Sequence, residues 1–146
     1  MQLTLYSDYS FRVMIYLALA PERLVTIEEI ARRYGISKAH LTKVVHELGR
    51  RGFVETVRGR RGGLRLARPA DTIGVGELLR ATEGRLDLVE CFAPDGTCVI
   101  EPACGLRQVL DEALEAFLGV LDRYTLADLV ARRRTPLLRL LEASGA

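Results

Sequence analysis

TIEEIARRYGISKAHLTKVVHELGRRG, residues 26–52, holds two short amphipathic helices joined by a glycine turn. Thr26 with Glu29 three residues on is a capping box, in which the hydroxyl and the carboxylate each satisfy a free amide at a helix start. Ile27, Ile30 and Ala31 then follow at helical spacing up to about Tyr34. Gly35 supplies the turn and Ser37 caps the second helix, where Leu41, Val44, Val45 and Leu48 form one apolar face before Gly52 stops it near Arg51. Two such helices across a short glycine turn form a helix-turn-helix, whose second helix enters the DNA major groove.

The chain on either side fits that reading. Downstream, Phe53 to Arg58 reads as a strand, Gly59 to Gly63 as a tight loop, and Leu64 to Ala67 as the returning strand, which together make a β-wing. Its tip is expected to carry Arg58, Arg60, Arg61 and Arg65, long cations on a glycine-rich loop that reach phosphates or a narrow minor groove. Upstream, Ser7 or Asp8 is the expected cap of a first helix to about Ala20, its face built from Phe11, Met14, Ile15 and Leu17 or Leu19, and Pro21 ends it. A further short helix is expected from Asp71 or Thr72 through Val75, Leu78 and Leu79 to Gly84.

Beyond Gly84 the pattern changes. Residues 84–102 show no sustained periodicity, and Pro94, Asp95 and Gly96 mark a turn. From Leu106 to Leu121 an apolar stripe of Val109, Leu110, Ala113, Leu114, Phe117 and Leu118 runs along about five helical turns. So long a helix after a complete winged module has little of its own chain left to cover it, and a second copy of the chain is the expected partner. Thr125 with Asp128 looks like another cap, and Thr135 with Pro136 starts a terminal helix. The fold class is therefore mainly α with a small β-wing: a winged helix-turn-helix module at 1–83, a cysteine loop at 84–104, and a dimerisation helix with C-terminal helices at 105–146.

Composition agrees. The 146 residues are 49% hydrophobic and 27% charged, which suits one folded domain with an appended arm. The net charge of +2 conceals an uneven split. Residues 1–69 hold 13 Lys or Arg against 6 Asp or Glu, and residues 70–146 hold 8 against 13. A basic first half suits a polyanion partner, because cations that neutralise phosphates release condensed counterions. No secretory leader opens the sequence, and the longest apolar run, Val13 to Pro21, is less than half of the roughly 20 residues needed to cross a bilayer, so no membrane and a cytoplasmic location are expected. No Walker loop, dinucleotide-binding glycine pattern or Ser-His-Asp arrangement gives an enzyme reading any anchor.

Cys91, Cys98 and Cys104 are the only cysteines, all within fourteen residues. In a reducing compartment that clustering favours ligands over a disulfide, which would leave one thiol over. The spacing Cys-x6-Cys-x5-Cys matches neither a zinc ribbon nor a plant-type ferredoxin, and thiolates suit an iron-sulfur cluster, zinc or Cu(I) alike. His40 and His46, the only histidines, lie on the second helix of the motif and away from that loop. On that helix Ser37, Lys38, His40, Thr42 and Lys43 lie at or near the side opposite the apolar face, where donors meet bases and phosphates. Two rivals remain at this point: a small redox carrier using the same thiols, and a zinc-stabilised DNA binder.

Taken together, the sequence resembles the IscR-like winged-helix iron-sulfur transcriptional regulators over nearly its whole length, most closely their nitric-oxide-sensing members. The resemblance rests on Met1-Gln-Leu-Thr with Asp8-Tyr9, on Tyr34-Gly-Ile-Ser37, on Val57-Arg-Gly59 with Gly62-Gly63, on Pro102-Ala-Cys104, and on Tyr124-Thr-Leu-Ala-Asp-Leu129. It implies a homodimeric repressor that binds double-stranded operator DNA while its cluster, [4Fe–4S] in preference to [2Fe–2S], is intact, and that leaves DNA when nitric oxide attacks the cluster. It implies Cys91, Cys98 and Cys104 as ligands. IscR-like members carry a histidine three residues after the last cysteine, whereas Arg107 stands there in this chain, and the nitric-oxide-sensing members suggest Asp8 of the other protomer as the fourth ligand, with Glu90, Asp95 and Glu101 as alternative oxygen donors if Asp8 is only a helix cap. Sensing of redox or cluster status is the alternative within the same family.

Overall fold

The computed structural model describes residues 2–144; Met1, Gly145 and Ala146, which fall within the ranges expected above, lie outside the described residues. The elements run α1 (Leu5–Leu19), α2 (Ile27–Tyr34), α3 (Lys38–Arg50), β1 (Val54–Val57), β2 (Gly63–Leu66), α4 (Val75–Glu83), α5 (Gly105–Leu121), α6 (Leu126–Ala131) and α7 (Arg134–Ala143). Three 3-10 turns lie between them, at Ala70–Thr72, Glu90–Phe92 and Glu101–Ala103. Among the described residues, no helix is long and apolar enough to cross a membrane.

Helix α1 is the centre of the fold. Val13 and Met14 are wholly buried and Leu17 nearly so, and the helix packs against α3, α4, α6 and β2. It is apolar on more than one side because it is covered on more than one side. Ile30 of α2, Leu41 and Leu48 of α3, Leu78 of α4 and Leu126 of α6 close the same core. The turn between α2 and α3 needs Gly35, whose φ of 63° is left-handed and whose amide caps the end of α2.

The wing is a two-stranded antiparallel sheet in the register Val54↔Leu66, Glu55↔Arg65, Thr56↔Leu64 and Val57↔Gly63. Val25 bridges the other edge of β2, exchanging backbone hydrogen bonds with Leu64 at 3.0 and 2.7 Å, so the wing is tied to the chain that enters α2. Strand β1 is shorter than expected by one residue at each end, Phe53 and Arg58 lying outside it, while β2 keeps the expected length but begins one residue earlier, at Gly63, and leaves out Ala67.

Several helix starts differ from expectation. Thr4, rather than Ser7 or Asp8, caps α1, its hydroxyl accepting from the Ser7 amide at 3.2 Å. Ser7 is instead fully buried and donates to Thr82 of α4 at 2.9 Å. Ser37 occupies the N-cap position of α3 without a side-chain cap bond. Asp71 and Thr72 belong to a 3-10 turn, and α4 begins only after Gly74, whose amide donates to Glu77. Helix α7 begins at Arg134, one residue before the expected Thr135. The Thr125 cap forms with a full box to Asp128, whereas at Thr26 only half of the expected capping box forms: the hydroxyl accepts from the Glu29 amide, but the Glu29 carboxylate accepts from Tyr16 and Arg23 instead.

Tyr34 closes the end of α2 between the Arg12 guanidinium and the Tyr16 ring. Burial pushes its phenol from 10.0 up to about 12. The folded state thus holds that proton more tightly than the unfolded chain, so the stability it supplies is complete below pH 10 and is lost as pH rises from 10 to about 12. In an alkaline titration followed by tyrosinate absorbance, Tyr34→Phe should remove a late-ionising step and flatten the fall in stability across that window.

Candidate functional site

Two surfaces carry the residues singled out by the sequence. The first is the exposed side of α3 with the wing. Leu41, Val44, Val45 and Leu48 face the core, which turns Lys38, Ala39, His40, Thr42 and Lys43 to solvent. The charges on this surface are not equivalent. Lys38 is paired with Glu28 at 3.1 Å and Arg65 with Glu55 at 2.8 Å across the wing ladder. Arg58, Arg60, Arg61 and Lys43 are exposed and, among the described residues, make no ion pair. The unneutralised charge therefore sits at the wing tip and one turn into α3, where it can meet a polyanion without first breaking an internal pair.

The remaining α3 residues have local engagements. The Thr42 hydroxyl donates to the Lys38 carbonyl at 2.8 Å, leaving its oxygen lone pairs outward. Ser37 is exposed with its hydroxyl uncommitted at the start of a 13-residue helix, a position that suits a phosphate oxygen. His40 lies with its ring centre 6.4 Å from that of Tyr9 on α1. That contact links the start of α3 to α1 and could not be read from periodicity, since the residues belong to separate helical faces.

The second surface is the segment between α4 and α5. Nothing from Gly84 to Cys104 is buried, and Val99 and Ile100 are among its most exposed residues. The segment is held by short-range bonds. The Glu90 carboxylate accepts from the Thr97 amide and hydroxyl, at 3.3 and 2.9 Å, and closes a ring around Cys91. Gly96 passes so near that a Cβ there would lie 2.7 Å from the Glu90 carbonyl and 3.1 Å from the Cys91 Cα. The Glu101 amide then donates to the Cys98 carbonyl and the Cys104 amide to the Glu101 carbonyl, each at 3.2 Å. A continuous ladder of turns therefore links the three cysteines.

Each cysteine is a free, half-buried thiol. Cys104 stands at the N-cap of α5, beside the unpaired amides and the partial positive charge of a 17-residue helix. Among the described residues, no three His, Cys, Asp or Glu side chains converge closely enough to hold an ion as they stand. An iron-sulfur group fits these donors by type, three accessible soft sulfurs on one loop, and requires their side chains to turn toward a common point. Arg107, standing where IscR-like members carry a histidine, is paired with Glu101.

Asp8 lies in the first turn of α1, half-exposed, with its carboxylate paired to Arg12 at 2.8 Å. Arg12 in turn lies over the rings of Tyr9 and Tyr34, 5.8 and 5.9 Å from their centres. The start of α1 is also tied to the base of the cysteine segment. The Thr4 amide and hydroxyl donate to the Glu83 carboxylate at 2.6 and 3.1 Å, one residue before the loop departs at Gly84. Glu83 was not singled out by the sequence, because a bond spanning 79 residues leaves no periodic trace; Arg12 was missed although its i,i+4 spacing from Asp8 is a local signal.

Comparison with known proteins gives consistent results. Residues 3–132 match the Rrf2 family, described as "Iron-dependent Transcriptional regulator". The HTH-type transcriptional regulator NsrR of Bacillus subtilis (strain 168) is 51% identical over 144 residues, covering 97% of this chain and 98% of the relative. Among solved structures, T. potens IscR superposes with a TM-score of 0.74 at 28% identity, over 90% of this chain and 88% of that one. CymR, the global cysteine regulator of B. subtilis, gives a TM-score of 0.74 at 28% identity, over 90% of this chain and 98% of that one.

The charge balance of the wing sets an expected outcome. Arg60→Ala and Arg61→Ala should each weaken duplex DNA binding regardless of sequence and lower the log–log salt slope by about 1. Arg65→Ala, which removes a cation already neutralised by Glu55, should change the slope far less. Fluorescence anisotropy across a salt series measures both.

Proposed function

Because the chain belongs to the Rrf2 family of iron-dependent transcriptional regulators, and so is a regulator and not an enzyme, we propose that it is a cytoplasmic, homodimeric repressor whose grip on operator DNA depends on an iron-sulfur cluster and is released by nitric oxide. The supporting observation is the ladder of turns that gathers Cys91, Cys98 and Cys104, the only thiols of the chain, on one exposed loop between the reading module and α5. The names borne by relatives about half identical over most of the chain support the same reading.

On this reading residues 1–83 read DNA, 84–104 hold the cluster and 105–146 join the protomers. Ser37, Lys38, His40, Thr42 and Lys43 present α3 to the major groove, while Arg58, Arg60 and Arg61 reach the backbone or the minor groove. Lys38 must exchange Glu28 for DNA or share itself between them, whereas Lys43 and the wing arginines come uncommitted. Cys91, Cys98 and Cys104 would hold a [4Fe–4S] cluster, with Asp8 of the partner subunit supplying an oxygen. When bound, that group supplies iron with one weakly held position that a small diatomic ligand such as nitric oxide can take.

The chain's own residues explain how occupancy of the loop would reach the DNA. Asp8 cannot serve a neighbouring loop while fully engaged with Arg12, so recruiting it frees or reorients a guanidinium that lies against Tyr9 and Tyr34. Tyr9 touches His40 at the start of α3, and Tyr34 ends α2. A change at Asp8 is therefore felt at both helices of the helix-turn-helix. Two heads on one duplex must keep their half-site spacing, so small shifts of α3 weaken both contacts together.

The test is anaerobic purification followed by iron, sulfide and zinc analysis and by operator binding before and after nitric oxide. About four irons and four sulfides per chain are expected, with DNA released on nitrosylation. Cys91→Ala, Cys98→Ala and Cys104→Ala should each abolish iron retention, and Asp8→Ala should retain the fold but lose iron faster. Zinc in place of iron, or operator binding indifferent to iron and nitric oxide, would refute the sensor reading.

A further inference from the structure

Helix α5 meets the reading module at one joint. Its only substantial packing partner among the described residues is α4, and of its residues only Leu118 is buried. At the base of the joint the Val75 amide donates to the Tyr124 carbonyl at 2.9 Å, and the Leu126 amide to the Ile73 carbonyl at 2.8 Å. These bonds pin the turn between α5 and α6 to the chain entering α4. A second point of attachment lies beside them: Arg80 of α4 grips Asp122, the C-cap residue of α5, through a two-pronged pair at 2.6 and 2.7 Å.

The fork rests on Gly76. A Cβ at that position would overlap the Asp122 carboxylate oxygen and crowd the Arg80 guanidinium at 2.9 Å, so any larger residue expels the carboxylate from its seat. A bidentate guanidinium–carboxylate pair restricts orientation as well as distance. Being half-exposed, the pair adds little to stability, and its worth lies in geometry. The 17 residues of α5 make a lever of about 25 Å, so a rotation of roughly 10° at the joint moves its far end by about 4 Å. That is close to the roughly 3.4 Å rise of one DNA base pair.

We propose that the Arg80–Asp122 fork, seated on Gly76, fixes the angle between each reading head and the dimer arm and thereby selects the spacing between operator half-sites. This inference rests on the reading of the chain as a dimeric DNA binder through α5, and it assigns specificity to residues that touch neither DNA nor the thiol loop. Asp122, held below the usual carboxylate range by Arg80, remains charged at neutral pH and keeps the fork closed. No change in half-site recognition is involved, because α3 and the wing lie elsewhere in the fold.

The test uses the full-length protein and an operator selected by the wild type from random duplexes, rebuilt with one base pair added or removed between half-sites, together with a single half-site. Wild-type protein should lose at least about tenfold in affinity on the altered spacings, equivalent to roughly 1.4 kcal/mol. Asp122→Ala should bind the native spacing more weakly and discriminate among spacings several-fold less, with single half-site affinity unchanged. Gly76→Ala should act alike, and Glu112→Ala, on an exposed α5 carboxylate outside the joint, should leave the pattern intact. If Asp122→Ala folds poorly by circular dichroism, Asp122→Asn carries the same comparison. Wild-type discrimination retained in the Asp122 variants overturns the inference while leaving the dimeric reading untouched, whereas wild-type protein that binds single and double sites equally overturns both.

Discussion

An apolar helix must be covered, and α5 is not covered by the described residues of its own chain. Leu106 and Val109 are each 61% exposed, Val120 is 44% exposed, and only Leu118 is buried. Fully covering an exposed side chain of this kind releases about 1.5–3 kcal/mol, and these partly exposed ones contribute a share of that toward the cost of association. On the proposed reading a second copy supplies the cover, and the rest of the molecule's organisation depends on it. Pairing through α5 brings two reading heads together. It also carries Cys104 at the first end of α5, and the whole cysteine segment, toward the other protomer.

The winged module is built so that its core and its reading surface share one helix. Helix α1 buries Val13, Met14 and Leu17 against α3, α4 and α6, while its first turn bonds through Thr4 to Glu83 at the root of the thiol loop. The Ser7–Thr82 hydrogen bond, fully buried, holds that end in place, since breaking it would leave a hydroxyl without a partner. Asp8, Arg12, Tyr9, Tyr34 and His40 then form a connected path from that turn to α2 and α3. Such contact paths carry a signal only if they have two arrangements; the structure shows one, with Asp8 on Arg12, and on the proposed reading exchange of Asp8 to a neighbouring protomer would supply the other.

Much of this was legible in the sequence because it is periodic. The apolar spacing of α3 and α5, the Thr26 and Thr125 caps and the Gly35 turn all follow from local chemistry that neighbouring residues complete. Ser7 was misread as a cap because a serine before an apolar run serves equally well as a buried partner, and only the tertiary position of Thr82 decides between them. That Cys91, Cys98 and Cys104 cluster on one segment outside the periodic helices was visible in the sequence. The turns that link them were not, since Glu90 and Thr97 close the loop through side-chain bonds that no periodicity encodes. The differing commitments of Lys38 and Arg65, paired, and of Lys43, Arg58, Arg60 and Arg61, unpaired, likewise depend on Glu28 and Glu55 being folded against the former two.

Sedimentation equilibrium on the wild type and on Val109→Glu, at micromolar concentration, addresses the uncovered helix most directly. The expected result is a wild-type mass twice the 16.2 kDa of the chain, with the variant folded by circular dichroism but monomeric. A monomeric wild type, or a Val109→Glu protein that remains a dimer, would contradict the central claim that a second copy covers α5.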